Sequence, residues 1–322
     1  MTKPDTVLAV DLGGTKILVG EVTRDGEVLS RVRYKSDVSA QRVAVNMIKS
    51  AITHYLNTQE HLGNIVAVGI GVVGRVDSQA GVWREISPEL AVPIPITEEV
   101  TTMCGLPCFV ANDVVCGTLA EMKLGIGQRT RDLIYINVGT GIAAGIVSAG
   151  HLIVGKHNDA GEIGHMVVDV DSPVRCVCGR YGCVEALASG LGMSNIAKRM
   201  LPQYPDTRLA VNADGRIAVE DLVAGYGAGD ALAKCVIDQA LDALACLTMN
   251  LVYTSNPQAV VFGGGVMADG WMLERLQPLI QAKVGRFVKY GFTTTTLDST
   301  RIALKGCAVL AFSRLKGEDL TR

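Results

Sequence analysis

The strongest constraint on what this chain can fold into is a pattern that occurs twice. Val7-Leu8-Ala9-Val10 runs into Asp11-Leu12-Gly13-Gly14-Thr15-Lys16, and strand character resumes over residues 17–22. Roughly 126 residues later the apolar run 133–136 passes through Asn137-Val138-Gly139-Thr140-Gly141 and resumes over 142–147. Branched aliphatic residues suit a pleated backbone, and glycines permit the reversal between two such runs, so each copy predicts a hairpin with glycines at its tip. A pattern repeated at this distance predicts an internally duplicated chain.

Between the copies the sequence predicts a helix near 39–57, a strand at 65–71, an irregular Gly/Pro-rich stretch at 71–96, a strand at 108–111 and a helix near 115–124. Beyond the second copy it predicts a helix at about 187–200 and a polar loop to residue 216. Ala231, Leu232, Val236, Ala240, Leu241, Leu244, Leu247 and Leu251 then recur at helical spacing, predicting one long buried helix over 228–253 that Asn256-Pro257 stops. A short strand at 259–262 leads into Gly263-Gly264-Gly265, and a final helix is expected from Gly306. Strands alternating with helices define an α/β chain.

The most specific chemical motif lies after the second copy. Glu162-Ile163-Gly164-His165 precedes Cys176-Val177-Cys178-Gly179-Arg180-Tyr181-Gly182-Cys183-Val184-Glu185. Three thiolates and one imidazole at these spacings can close a tetrahedral zinc site of His165, Cys176, Cys178 and Cys183, and closed sites of this kind are structural. The alternative is that the cysteines are buried free thiols. The odd total of nine cysteines and the absence of an export signal argue against a disulfide framework and for a reducing cytoplasm.

With 30 basic and 32 acidic residues and no long run of either sign, the chain has no electrostatic footprint for nucleic acid or an anionic membrane. No uninterrupted apolar run approaches the ~18 residues of a membrane span.

The glycine-rich tips, with Thr15 and Thr140, offer backbone N–H groups and hydroxyls to phosphate oxygens, and Asp11 could hold Mg2+ or its water. Ordinary turn geometry explains either tip taken singly. No P-loop spacing is present, and Lys16 falls in a strand. Ala111-Asn112-Asp113 sits between a strand and a helix, so Asn112 or Asp113 is either an ordinary N-cap or, for Asp113, a general base that orients an attacking hydroxyl.

These motifs, from Asp11-Leu-Gly-Gly-Thr-Lys16 through Asn112-Asp113, Gly139-Thr-Gly141, Glu162-Ile-Gly-His165 and the cysteine motif to Gly263-Gly-Gly265, follow the order seen in the ROK family (repressor, open reading frame, kinase). The chain resembles that family of sugar kinases and sugar-responsive regulators over essentially its whole length. The resemblance implies a duplicated actin-like ATPase (ribonuclease H-like) fold with two domains flanking a cleft: a smaller one of residues 1–114 plus 306–322, and a larger one of 115–305 carrying the zinc segment 162–185. It implies an ATP-dependent kinase acting on the 6-hydroxyl of glucose, a related hexose or an N-acylhexosamine, with Asp113 as base and Asn112, Glu162, His165 and Glu185 as hydroxyl contacts. Asp11, Gly13, Gly14, Thr15, Lys16, Gly139, Thr140, Gly141, Gly263, Gly264 and Gly265 resemble the nucleotide and Mg2+ cradle. It also implies a homodimer or homotetramer. His165 would serve twice, one ring nitrogen on zinc and the other toward sugar.

The chain also departs from the family. The loop opening at Gly71 has Val73 and Arg75 where prolines are common, the step Pro88-Glu89-Leu90 has Glu89 in place of the sugar-touching Asn of the glucokinases, and Ala143-Ala144 replaces Gly-Gly. Gly71 and Glu89 are nevertheless expected at the substrate. The competing expectation is a sugar-binding regulatory protein of the same family without phosphoryl transfer; the first strand begins near residue 7, leaving no room for a DNA-reading domain before it.

Overall fold

The computed structural model describes residues 3–87 and 91–321. Glu89, with its neighbours Pro88 and Leu90, lies outside them. By internal contacts the chain divides into two compact units: Met1–Arg131 with Ala149–Ala160 and Thr296–Arg322, and Asp132–Ser148 with Gly161–Thr295.

In the first unit, β1 (Asp5–Leu12) and β2 (Lys16–Thr23) form the expected antiparallel hairpin, with Asp11 opposite Leu18. β3 (Val28–Lys35) extends it antiparallel, α1 (Gln41–Thr58) follows, and β4 (Asn64–Val72) lies parallel to β1. The hairpin of β5 (Arg75–Asp77) and β6 (Val82–Glu85), α2 (Ile96–Cys104), β7 (Cys108–Asn112) and α3 (Asp113–Leu124) come next. The sheet order is β3-β2-β1-β4-β7. Alternation sorts the side chains: Leu8, Val10, Ile17 and Val19 join Ala44, Ile48 and Ile52 of α1 in one core. The helix Ile302–Leu315 packs on β1, β4 and α3. A fully buried carboxylate, Glu21, is satisfied by the Gly63 N–H at 2.8 Å, the Leu62 N–H at 3.2 Å and the Thr6 hydroxyl at 3.2 Å.

The second unit repeats the plan. β8 (Leu133–Val138) and β9 (Ile142–Ser148) form an antiparallel hairpin, the strand Ala259–Gly263 runs parallel to β8, and Phe292–Thr294 runs parallel to that strand. The order β9, β8, Ala259–Gly263, Phe292–Thr294 matches β2-β1-β4-β7, so the duplication predicted from two glycine hairpins extends to the strands beside them. Helices α4 (Val184–Ala188), α5 (Gly190–Met200), α6 (Val219–Gly227) and α7 (Ala231–Ser255) complete much of this unit. The Asp230 carboxylate caps α7 by accepting from the Leu232 and Ala233 N–H groups, and Asn256 ends it in the left-handed conformation. By length and composition α7 could cross a membrane, but 61% of its most apolar window is buried, and Val236, Ala240, Leu244 and Leu247 are core.

Three expectations need correction. A domain boundary at 114/115 would cut α3 at its first turn; α3 packs against Ile302–Leu315, so the first unit runs on to Arg131. The last helix begins at Ile302 rather than Gly306; the glycine lies inside the helix at a packing site, where a Cβ would lie 1.8 Å from the Cys116 carbonyl oxygen. The stretch 71–96 is not irregular throughout. Trp83 is fully buried, its indole N–H donates to the Val73 carbonyl at 2.9 Å, and its backbone pairs with Ile94, which folds the excursion around one aromatic anchor. Arg75 joins it by ion pairs to Glu85 at 3.3 Å and to Asp159 at 2.7 Å.

Candidate functional site

In the first unit the candidate residues gather at the ends of β1 and β7. The Gly13 N–H donates to the Lys16 carbonyl at 2.9 Å, closing the turn, and Gly14 and Thr15 are left exposed at its tip. Asp11 keeps part of its surface open, yet the packed atoms around it disfavour its charge: burial foremost, and then the Asp113 carboxylate, push its pKa up to about 7, against a lowering by Lys16. Asp11 and Asp113 are therefore electrostatic neighbours, an arrangement that favours a shared cation or proton.

Asn112 and Asp113 divide the two roles that their sequence left open. The Asn112 side-chain oxygen accepts from the N–H groups of Val114 at 2.8 Å and Val115 at 3.4 Å, so Asn112 is the N-cap of α3. Its amide donates to the Gly74 carbonyl at 2.9 Å. Asp113 is the first residue of α3, where the helix N-terminus stabilises a carboxylate. Gly71 is buried in β4, and a side chain there would meet the thiols of Cys307 and Cys116 at 3.1 and 3.4 Å, so packing accounts for this glycine.

The second unit brings His165, Cys176 and Cys178 into one cluster, with Cys183 against Cys178. His165 ends a short turn at Ile163–His165, and the hairpin-like loop 174–182 is closed by the Cys176 N–H on the Arg180 carbonyl and the Gly182 N–H on the Val174 carbonyl. Gly182 has a positive φ of 70°, and a Cβ there would strike the Asp169 carbonyl at 1.7 Å. His165 Nδ1 stands 3.4 Å from Cys176 Sγ, and Cys178 Sγ stands 3.6 Å from Cys183 Sγ. The donor atoms of His165, Cys176 and Cys178 all lie within 4.8 Å of one another. A tetrahedral zinc, with Zn–S near ~2.3 Å and Zn–N near ~2.0 Å, sets neighbouring donors ~3.5–3.8 Å apart, so His165, Cys176 and Cys178 fit the ion, whereas Cys183, expected as the fourth ligand, lies outside that cluster, its thiol against Cys178 and donating to the His165 carbonyl at 3.4 Å. Hydrogen bonding from the Arg180 backbone draws the Cys178 thiol down to about 6, whereas burial pushes Cys183 up to about 12 and raises Cys176. A bound dication would stabilise all three thiolates.

Glu185, in the first turn of α4, reaches the second glycine hairpin: its Oε2 accepts the Ile142 N–H at 2.9 Å. The same oxygen lies beside Gly164, next to His165. Glu162, at the start of the His165 turn, is exposed. A cavity of about 290 Å³ is lined by Thr140, Gly141, Cys176, Glu185, Ser189 and Asn195 among others. A second, of about 460 Å³, is lined by Gly139, Thr140, Leu191, Arg216, Glu220 and Gly265 among others. It joins two of the predicted glycine clusters. Of the third cluster only Gly265 is exposed. Gly263 is buried against Tyr135, and Gly264 has a φ of 86° and lies close under the Val138 carbonyl.

Sequence reasoning missed Gly190, Leu191, Arg216 and Glu220. The Gly190 N–H donates to the Gly139 carbonyl at 2.8 Å, so the start of α5 rests on the glycine tip. Ser189-Gly190, a capping residue followed by glycine, was the available signal: the Ser189 hydroxyl accepts from the Gly192 N–H. Arg216 and Glu220 carried none, because only folding places them opposite the glycines.

Two hairpin-led sheets of matching order, each with a glycine tip at the candidate chemistry, define an actin-like ATPase fold. The ROK family model matches residues 7–311, and the chain belongs to the ROK family. It is 30% identical over 273 residues to a glucokinase of Thermotoga maritima, covering 83% of this chain and 84% of that one. It is 31% identical over 271 residues to an N-acetylmannosamine kinase of Shigella flexneri, covering 83% and 86%. A ROK glucokinase from Streptomyces griseus, solved with glucose and AMPPNP, superposes with a TM-score of 0.75 at 27% identity, over 94% of this chain and 98% of that one.

Proposed function

We propose that this ROK sugar kinase moves the γ-phosphoryl group of ATP to the 6-hydroxyl of a hexose or N-acylhexosamine, with Asp113 as general base. The observation that carries the reading is the pairing of Asp113, at the N-terminus of α3, with Asp11 at the end of β1. Asp113 accepts the hydroxyl proton as the sugar oxygen attacks phosphorus in line, and ADP leaves. Mg2+, when bound, neutralises the phosphate oxygens, and Asp11 or a water it holds is the candidate ligand. In the second unit Gly139–Gly141 give backbone N–H groups to phosphate, and the cavity lined by Thr140, Glu220 and Gly265 takes the nucleoside; in the first unit the exposed tip Gly13–Thr15 offers N–H groups of the same kind.

Glu162, His165 and Glu185 bind the hydroxyls nearer the anomeric carbon. His165 Nδ1 and the thiolates of Cys176, Cys178 and Cys183 would hold a zinc ion, which would fix the imidazole ring and leave Nε2 for a sugar hydroxyl. The names of the relatives support both substrate classes, a plain hexose and a 2-acylamido hexose.

Asp113→Asn is the test. Turnover should fall by about a thousandfold or more, the upper range for a general base, while sugar binding measured by calorimetry stays within about threefold of the parent. A variant with unimpaired turnover would contradict the mechanism.

A further inference from the structure

The segment 183–191 is anchored at both ends. Cys183, a ligand of the proposed zinc, is the N-cap of α4, and two residues on, Glu185 Oε2 accepts the Ile142 N–H at 2.9 Å. At its far end the Gly190 N–H donates to the Gly139 carbonyl at 2.8 Å. The loop Gly139–Gly141 is thus gripped on both sides by one short stretch of chain. Gly141 is shaped for the carboxylate, since a Cβ there would lie 2.6 Å from Glu185 Oε2, and at Gly164 it would lie 3.2 Å from the same oxygen.

We propose that Glu185 is a positioning residue for the phosphate-side loop Gly139–Gly141, so that one carboxylate beside the cysteine knot sets nucleotide binding as well as sugar binding. The inference rests on the kinase reading above. One carboxylate oxygen is committed to the loop amide, which fixes the direction in which the N–H groups of the tip point; the other is left to a sugar hydroxyl. A residue that only touched sugar would leave the nucleotide indifferent to its loss.

Binding of Mg·AMPPNP to the full-length protein, in the absence of sugar and with metal content measured beforehand, separates the two roles. Glu185→Ala should weaken binding about tenfold, the size expected for losing a hydrogen bond to a charged acceptor. Glu185→Gln, whose amide oxygen can still accept the Ile142 N–H, should restore most of the affinity while sugar binding remains impaired. Gly141→Ala should also weaken nucleotide binding, and less so in the Glu185→Ala background, where the added methyl has room. Equal nucleotide affinity in the parent and in Glu185→Ala would overturn the inference alone. A parent that binds no Mg·AMPPNP would overturn the kinase reading and the inference with it. Thermal melts of each variant identify any change that acts by unfolding.

Discussion

Asp11 carries the clearest electrostatic signature in the first unit. Its folded pKa of about 7 lies above its ordinary value of 3.8, so between those two values the folded state holds a proton that the unfolded chain has released. Its contribution therefore favours the folded state at low pH and declines as pH rises toward 7. In Mg2+-free buffer, the thermal midpoint of the parent should lose stability across that window relative to Asp11→Asn, which has no carboxyl to titrate. Parallel pH profiles for the two proteins would contradict the assignment. At this scale the sequence was only half legible. Asn112 and Asp113 were both candidates for the helix cap, and the structure separates them because the Asn112 side chain turns back on the Val114 and Val115 N–H groups. The packing of Gly71 was not legible, because one of the two thiols beside it, Cys307, comes from Ile302–Leu315, more than two hundred residues on, and the other, Cys116, from α3.

The His/Cys segment is the element most readable from sequence, because its four candidate ligands lie within nineteen residues and their spacing limits the geometry. The folded loop brings the His165, Cys176 and Cys178 donors within 4.8 Å of one another without a long-range contact to arrange them. Elemental analysis of protein purified without chelator should find about one zinc per chain, and Cys176→Ser should lower that content markedly. Full zinc content in the variant would remove Cys176 from the ligand set. Metal-free, fully active protein would make the three cysteines free thiols, Cys178 exposed and the other two buried. The excursion after Gly71 is the opposite case. Its glycines and prolines read as irregular, but one buried indole, bonded to the Val73 carbonyl, organises a hairpin that no local periodicity announces.

Over the whole molecule, the two glycine hairpins carried the fold class because each predicted not just a turn but the first two strands of a sheet. β4, β7 and Ala259–Gly263 also read as strands, but their parallel pairing and its register depend on tertiary packing. For the same reason the cavity proposed for the nucleoside could not be drawn in advance: Arg216 and Glu220 approach the glycines from a loop and a helix with no motif of their own. The functional claim rests on phosphoryl transfer to a sugar, and coupled ADP release tests it most directly. With Mg·ATP, a panel of glucose, mannose, allose, fructose, N-acetylglucosamine and N-acetylmannosamine should include at least one sugar that drives ADP formation well above the sugar-free rate. Zinc-loaded, folded protein that binds these sugars but releases no ADP with any of them would contradict the account.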